Sequence, residues 1–211
     1  MKVGLLTEKK SWIYPFVVDL KSKVQNQHGT ECLVFTNSNE IKSCDIVFVL
    51  GYLKIIPLEI LKLNKYNMVI HESDLPNGKG SSPMAWQILD GEKEITFTLF
   101  NADGNVDSGD IFLKKKLILD GRELYEEWRR KQAYLSEEMV LEVIQSFPNL
   151  NGYPQDKEGS FYRKRNHFDD ELDVNKPFKD SIDKLRICDP NNFPSWFIYE
   201  GSKFKVTISK F

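Results

Sequence analysis

The feature that most constrains the fold is a series of short apolar runs that alternate with a helical pattern in the first 71 residues. Ile46–Leu50 (IVFVL) has no polar residue, as is typical of a strand buried on both faces of a sheet. Comparable runs lie at Val3–Leu6, Cys32–Phe35 and Asn67–His71, and apolar residues at helical spacing cover Trp12–Val24. Strands that alternate with helices favour parallel pairing with right-handed crossovers. We therefore expect an α/β fold with a mostly parallel sheet flanked by helices.

The rest of the chain divides near Asn149. Before it, the patterns predict three helices, Pro57–Leu63, Met84–Leu89 and Leu124–Phe147, and two strands, Ile95–Phe100 and Ile111–Leu119. The first helix is expected to stop at His28-Gly29. After Asn149 a linker with Gly and Pro is followed by a charged segment, and Glu200-Gly201-Ser202 predicts the turn of a β-hairpin. We predict a core over residues 1–150 and a small C-terminal extension with a β-hairpin over residues 151–211.

Composition excludes several classes of protein. The 29 Lys and Arg are balanced by 31 Asp and Glu, so the basic excess of a nucleic-acid-binding protein is absent, and no nucleic-acid partner is expected. Three cysteines without CxxC spacing argue against a disulfide framework and a zinc site. No apolar stretch approaches the roughly 20 residues of a membrane helix, so no membrane partner and a cytoplasmic location are expected. The glycine motifs typical of dinucleotide and nucleoside-triphosphate sites are also missing.

Two polar residues stand out as candidates for chemistry. His71 closes a predicted strand and opens a loop with Gly78 and Gly80, and ligands of parallel sheets bind at the carboxyl ends of strands. An imidazole there can accept or donate a proton near neutrality. Asp107, in a turn-rich loop, can orient that imidazole and stabilise its protonated form. Taken singly, a structural histidine and a solvated turn explain the two residues equally simply.

Three segments together resemble a known family. His71–Pro83 (HESDLPNGKGSSP) fits H-x-S-x-L-P-x-x-x-G-x-x-P, and Val106–Gly109 fits a hydrophobic residue before D-[ST]-G. Upstream, Gly51–Pro57 (GYLKIIP) is similar to a segment that helps to form a folate pocket. In order and spacing the three resemble the formyltransferases that use 10-formyltetrahydrofolate. This resemblance covers about residues 1–150 and implies a Rossmann-like formyltransferase core.

The resemblance also implies a site. His71 and Asp107 would be catalytic, with His71 moving a proton while an amine attacks the formyl carbon, and no metal would be needed. The cosubstrate would be 10-formyltetrahydrofolate, bound by Gly51, Tyr52, Leu53, Ile55, Leu75, Pro76, Gly80, Ser82, Pro83 and Val106.

The C-terminal extension suggests the acceptor. Tyr162–Arg165 (YRKR) and Phe193–Phe197 (FPSWF) resemble the tail of formyltransferases that act on nucleotide-linked amino sugars. Residues 73–89 are most similar to members acting on 4-amino sugars of the pseudaminic acid pathway. A UDP- or dTDP-linked amino sugar would then be bound by Ser73, Lys79, Tyr162, Arg163 and Arg165, and a homodimer is possible.

One departure leaves alternatives open. The family usually has Asn two residues before the catalytic His, and here that position is Val69, which cannot donate a hydrogen bond to an oxyanion. A backbone N–H of the loop, Ser73, Asn101 or a water would have to replace it. The alternatives are a methionyl-tRNA formyltransferase, disfavoured because the tail is short and the chain acidic, a purine-biosynthesis formyltransferase, a hydrolase releasing formate, and a non-catalytic folate or nucleotide-sugar binding protein.

Overall fold

The computed structural model describes residues 1–26, 29–155 and 158–211. Its strands are β1 (Lys2–Leu6), β2 (Glu31–Phe35), β3 (Ile46–Val49), β4 (Tyr66–His71), β5 (Lys79–Gly80), β6 (Glu94–Asn101), β7 (Ile111–Ile118), β8 (Phe161–Tyr162), β9 (Ser195–Tyr199) and β10 (Ser202–Val206). Its α-helices are α1 (Tyr14–Asn26), α2 (Leu58–Leu61), α3 (Pro83–Leu89), α4 (Tyr125–Ser146) and α5 (Ile182–Ile187). Short 3-10 helices lie at Ser38–Glu40, His167–Asp170 and Phe178–Ser181.

Six strands form the central sheet in the order β2-β1-β3-β4-β6-β7. The first four run parallel, which confirms the α/β fold with a mostly parallel sheet. Strand β6 runs antiparallel to β4, and β7 runs antiparallel to β6. Consequently the carboxyl ends of β1, β3, β4 and β7 lie along one edge of the sheet.

The two faces of the sheet bury different clusters. Helices α1 and α4 cover one face, where Phe48, Met68 and Phe97 pack with the fully buried Trp128. On the other face Val47 and Val49 pack with Phe35 and, at its margin, with Val69. Successive residues of a strand point to opposite faces, so Asn67, Val69 and His71 share this second face.

The C-terminal extension is fastened to α4 by buried polar contacts. The Trp128 indole N–H donates to the Arg186 carbonyl at 3.0 Å, and the Arg186 Nε–H donates to the Glu123 carbonyl at 3.0 Å. The Glu123 carboxylate lies 2.5 Å from the Lys131 ammonium and 3.5 Å from the Arg186 guanidinium. A buried charge pair of this kind is costly to break from one side. The extension is therefore held firmly on the core.

The predicted terminal hairpin is confirmed. Strands β9 and β10 pair antiparallel around Glu200 and Gly201, whose φ angles are 47° and 77°. Two successive positive φ values are typical of the turn that fits the twist of paired strands.

The predicted boundary near Asn149 stays a prediction. Helix α1 ends at Asn26, and His28, half of its predicted stop, lies outside the described residues. Within the described ranges, no helix is long and apolar enough to cross a membrane.

Candidate active site

His71 stands at the carboxyl end of β4, with only 7% of its surface exposed. Its Nε2 lies 2.8 Å from the Gly78 carbonyl oxygen. A carbonyl can only accept, so this partner assigns the hydrogen of the neutral imidazole to Nε2. The other nitrogen, Nδ1, faces the Asp107 carboxylate, with 3.8 Å between Nδ1 and Oδ1. A proton taken up by the ring at Nδ1 would therefore point at a negative charge.

Asp107 lies in the loop between β6 and β7 and is aimed by its own backbone. Its φ of 47° falls in the left-handed region, which Asp tolerates better than most residues. Its Oδ2 accepts a hydrogen bond from the Gly80 N–H at 2.8 Å, which leaves Oδ1 towards His71. The structure thus brings the two predicted catalytic residues together, although they are 36 positions apart.

Hydrogen bonds and buried apolar contacts hold the loop after β4 in place. The Thr98 hydroxyl donates to the Ser73 carbonyl at 2.7 Å, and Leu75 is fully buried with Phe100 and Ile111. Ser73 is itself buried, and its hydroxyl donates to the Asn77 carbonyl at 2.8 Å. Its single proton is therefore used within the loop.

Two glycines of the loop lie where a side chain would not fit. Gly78 has φ 73°, and a Cβ there would stand 2.8 Å from the Tyr162 ring. Gly80 has φ 99°, and a Cβ there would stand 2.3 Å from the Tyr162 carbonyl oxygen. Both positions require glycine for the left-handed backbone and for close approach. Lys79, between them, is half-buried.

The remaining predicted cofactor residues lie on two exposed loops and at the start of α3. Leu53 and Ile55 are 88% and 82% exposed, and Val106 is also exposed. Tyr52 is fixed through its hydroxyl to Ser38 at 3.3 Å. Gly51 is exposed, Pro76 is half-buried, and Ser82 has φ 56° before Pro83 begins α3. Leu53, Ile55 and Val106 thus leave aliphatic surface uncovered on these loops.

Arg163 and Arg165 already have carboxylate partners. The Arg163 Nη1 lies 2.8 Å from Asp169 Oδ2, its Nη2 bonds to the other oxygen, and its guanidinium stacks on Trp86 with 4.6 Å to the ring centroid. Arg165 bonds to Asp170. Both guanidinium groups are thus engaged with carboxylates, while the buried Nε of Arg165 has no hydrogen-bond partner among the described residues.

Val69 lies in an apolar setting and the structure offers few substitutes for the missing amide. Val69 packs beside Leu75 and Phe100. Asn67 is buried and its amide donates to Leu61 O at 2.8 Å and to nothing in the site. The backbone N–H groups of residues 77–81 all have protein acceptors. Of the predicted substitute donors, Ser73 and most of the loop N–H groups are therefore committed elsewhere.

Sequence reasoning missed two features at this edge of the sheet. The first is that β8, from the C-terminal extension, pairs with β5 inside the loop that follows β4. The second is a cavity of about 230 Å³, lined by Trp12, Phe16, Tyr125, Glu126, Arg129, Arg130, Asp189, Asn191 and Asn192. Its tryptophan and arginines are far apart in sequence, so no local signal pointed to them.

Arg129 is the most unusual residue of that cavity. Its guanidinium stacks on Trp12 and Trp128, with 4.4 and 4.1 Å to the ring centroids. Burial lowers its pKa from the usual value, and its buried Nε has no hydrogen-bond partner among the described residues. Its Nη1 donates to Gln132 at 2.8 Å, and Gln132 in turn donates to the carboxylate of Glu72, next to His71, at 2.5 Å. The cavity is thus linked to the loop that carries the histidine.

Comparison with known proteins identifies the family of the chain. Residues 6–144, about two-thirds of the chain, match the formyl transferase family. The match includes the whole of β4, His71, the following loop and Asp107. The chain therefore belongs to the formyl transferase family.

Curated relatives are longer than this chain. Methionyl-tRNA formyltransferase of Ehrlichia ruminantium is 29% identical over 163 residues, which are 77% of this chain and 52% of that protein. Its counterpart in Rickettsia prowazekii is 33% identical over 119 residues, 56% of this chain and 39% of that protein. The chain spans about half the length, or less, of these relatives.

Solved structures share the fold. Methionyl-tRNA formyltransferase from Clostridium thermocellum superposes with a TM-score of 0.84 at 22% identity, over 100% of this chain and 93% of that chain. A 4-N formyltransferase from Francisella tularensis gives 0.73 at 18% identity, over 98% and 96% of the two chains. HypX from Aquifex aeolicus, in complex with tetrahydrofolic acid, gives 0.78 at 18% identity over 99% of this chain and 37% of that chain. At these identities the likeness shows the fold alone.

Proposed function

We propose that the chain transfers a formyl group from 10-formyltetrahydrofolate to the amine of a nucleotide-linked amino sugar, with a 4-amino-4,6-dideoxy sugar as the first candidate. The observation that carries the proposal is the buried pair of His71 and Asp107, 3.8 Å apart, at the carboxyl edge of a formyl transferase fold. The pair has a basic nitrogen, a carboxylate and room between them for a proton.

The chemistry follows from the two nitrogens of His71. The cosubstrate supplies the formyl carbon as the electrophile. The Gly78 carbonyl holds Nε2–H, so Nδ1 is the atom that accepts the proton lost by the attacking amine. Asp107 Oδ1 faces the resulting imidazolium and stabilises its charge. The Nδ1–H group then returns the proton to the folate nitrogen that departs. Between these two steps the imidazolium is the nearest positive charge to the oxyanion.

The described residues fit a folate beside this pair. The exposed Leu53, Ile55 and Val106 provide apolar area that a ligand can cover, whereas the fully buried Leu75 holds the loop in place. A pterin and its benzoyl ring would bury that area, and apolar burial contributes about 25 cal/mol per Å². We assign these residues, with Gly51, Tyr52, Pro76, Gly80, Ser82 and Pro83, to the cosubstrate.

An amino sugar is supported as acceptor by the loop and tail sequences, and by the distribution of charge. The chain has a formal net charge of −2. Arg163 and Arg165 are paired with aspartates, as are Lys114 and Arg186. A chain without an excess of cations has little overall attraction for the phosphodiester backbone of a nucleic acid.

The phosphates of the acceptor have two candidate places. The predicted place is formed by Tyr162, Arg163 and Arg165, with Lys79 and Ser73 in the loop after β4. Binding there requires the arginines to release their aspartates and bind phosphate instead. The cavity at Trp12 offers Arg129 and Arg130, and among the described residues neither forms an ion pair with a carboxylate. Glu126 and Asp189 also line this cavity and oppose an anion. We favour the cavity, because its arginines need not give up a carboxylate partner and Trp12 gives a base an aromatic neighbour.

Methionyl-tRNA is the second candidate acceptor. The curated relatives are named for it, and the chain shares 29% identity with one of them over 163 residues. An acceptor stem would use the same His71 and Asp107, so the two proposals differ only in what binds around the pair.

The deciding experiment presents all acceptors to the purified chain. Mass spectrometry follows the gain of one formyl group on a panel of UDP- and dTDP-linked amino sugars and on methionyl-tRNA, each mixed with 10-formyltetrahydrofolate. The His71→Asn variant is the matched control for non-enzymatic transfer. A gain on one sugar supports the proposal, a gain on methionyl-tRNA alone replaces it, and folate binding without any gain favours a binding protein.

A further inference from the structure

The C-terminal extension supplies a short strand to the catalytic loop. We call residues 159–162 the strap. The Lys79 N–H donates to the Ser160 carbonyl at 3.1 Å, and the Ser81 N–H donates to the Tyr162 carbonyl at 3.1 Å. Strand β8 of the strap thereby lies parallel to β5. One edge of the loop is fully paired by a segment about 80 positions later in the chain.

The opposite edge of the same loop holds the catalytic pair. The Gly78 carbonyl accepts from His71 Nε2 at 2.8 Å, and the Gly80 N–H donates to Asp107 at 2.8 Å. In an extended chain, successive peptide groups point to opposite sides. The pairing of residues 79 and 81 with the strap therefore turns the peptide groups of Gly78 and Gly80 towards His71 and Asp107.

Ser160 connects the two edges through one residue. Its Oγ accepts a hydrogen bond from the Gly78 N–H at 2.9 Å, while the carbonyl of Gly78 holds His71. The φ of 73° at Gly78 lets its N–H face the strap and its carbonyl face the imidazole.

The strap packs too closely against the loop after β4 for the register of the pairing to shift. A Cβ on Gly159 would lie 2.0 Å from the Pro76 carbonyl oxygen, and one on Gly80 would lie 2.3 Å from the Tyr162 carbonyl oxygen. Such distances allow only glycine at both positions. The register between strap and loop is therefore fixed by backbone contact at two points.

We propose that Ser160 is a positioning residue for His71, and that the strap is part of the catalytic centre. Ser160 touches neither catalytic side chain. It acts by fixing the N–H of Gly78 and so the orientation of this residue, whose carbonyl keeps the imidazole hydrogen on Nε2 and leaves Nδ1 to accept the proton of the reacting amine. The effect of Ser160 on catalysis rests on the proposed function, whereas its effect on the tautomer of the His71 ring does not.

The test compares Ser160→Ala, Ser160→Thr and a matched serine of the terminal hairpin, Ser202→Ala, in the 211-residue chain. The first readout is the ¹⁵N spectrum of the imidazole rings, with the His71 signals assigned by their loss in His71→Asn. We expect the parent to show His71 as the Nε2–H tautomer. Ser160→Ala should mix the two tautomers because Gly78 loses the hydrogen bond that orients its N–H, and Ser160→Thr should restore the parent spectrum.

The second readout is steady-state formyl transfer. Ser160→Ala should lower kcat roughly threefold to tenfold, the value of one hydrogen bond, with KM for both substrates within about twofold. Thermal unfolding of all variants shows whether the fold is retained. The proposal is overturned if Ser160→Ala leaves the His71 spectrum and kcat unchanged, or if Thr fails to restore them. Absence of transfer by the parent would reject the proposed function alone, because the spectrum still tests the positioning.

Discussion

The imidazole Nδ1 of His71 faces the Oδ1 of Asp107 across 3.8 Å, a gap too long for a hydrogen bond. Both groups are held from their far sides, His71 by Gly78 and Asp107 by Gly80. The gap is therefore a property of the folded loop, and it leaves each group one free position that faces the other. A proton in transfer between an amine and a leaving group fits that arrangement.

Removing either member should abolish most transfer. We expect His71→Asn to lower kcat about 10³-fold, since it removes the proton acceptor. Asp107→Asn keeps an acceptor for the Gly80 N–H but removes the charge, and it should lower kcat about 10²-fold. Asp110→Asn, exposed in the same loop, is the control and should stay within about twofold of the parent. Substantial activity in His71→Asn, with the fold intact by circular dichroism, would refute the assignment.

The valine at position 69 should limit the rate. Val69→Asn introduces an amide two residues before His71, on the same face of β4, and a donor to an oxyanion is typically worth about 10²–10³ in rate. We expect kcat to rise at least about tenfold. The side chain is packed with Leu75 and Phe100, so the free energy of unfolding should fall by about 1–2 kcal/mol.

Val69→Ala is the matched control, because it removes the same methyl groups and adds no donor. Its kcat should not rise. If Val69→Asn folds and gains nothing over Val69→Ala, another donor already serves the oxyanion, and a backbone N–H at residues 73 or 74 or a water would be the next to examine.

The two candidate places for the acceptor's phosphates can be separated by charge removal. Arg130→Gln at the cavity should raise KM for the nucleotide-sugar about fivefold or more, with KM for the folate unchanged, since a charge-assisted contact is lost. Arg163→Gln should change that KM by less than about twofold, because its guanidinium is engaged with Asp169. Initial rates over both substrates measure the difference, and the reverse order would return the phosphates to the predicted tail residues.

The sequence predicted the parts of this site that depend on local pattern. Ile46–Val49 is recognisable because a strand buried on both faces needs an unbroken apolar run. The apolar residues before His71 place that residue at the end of the next strand. Asp107 needed the resemblance of three motifs, since a turn-rich acidic loop has no single structural meaning.

The parts that escaped prediction depend on contacts between distant segments. Strands β5 and β8 have two residues each, which is too short for any periodicity, and their pairing follows from glycine at 78, 80 and 159. The cavity joins Trp12 to Arg129 through stacking that no local spacing encodes. In the sequence, Arg163 and Arg165 suggested phosphate contacts. Their aspartate partners, Asp169 and Asp170, lie in the following turn of the same charged segment, and the charge pattern alone does not reveal this pairing.

The ion pair of Arg163 and Asp169 should make the extension sensitive to acid. Hydrogen bonds from Arg163 lower the pKa of the Asp169 carboxyl to about 2, against about 3.9 in an unfolded chain. A lowered carboxyl pKa stabilises the fold fully above the unfolded pKa, and that contribution is lost as the pH falls towards the folded value. The loss should therefore occur between about pH 4 and pH 2.

Asp169→Asn lacks this contribution at every pH. Its free energy of unfolding in urea should be lower than that of the parent at pH 6, and the difference between the two proteins should shrink as the pH falls to about 2.5. Asp180→Asn, on the exposed 3-10 helix of the same extension, is the control and should follow the parent throughout. A difference between Asp169→Asn and the parent that stays constant from pH 6 to 2.5 would show that the carboxylate charge of Asp169 does not stabilise the fold, because only an uncharged contact would then have been lost.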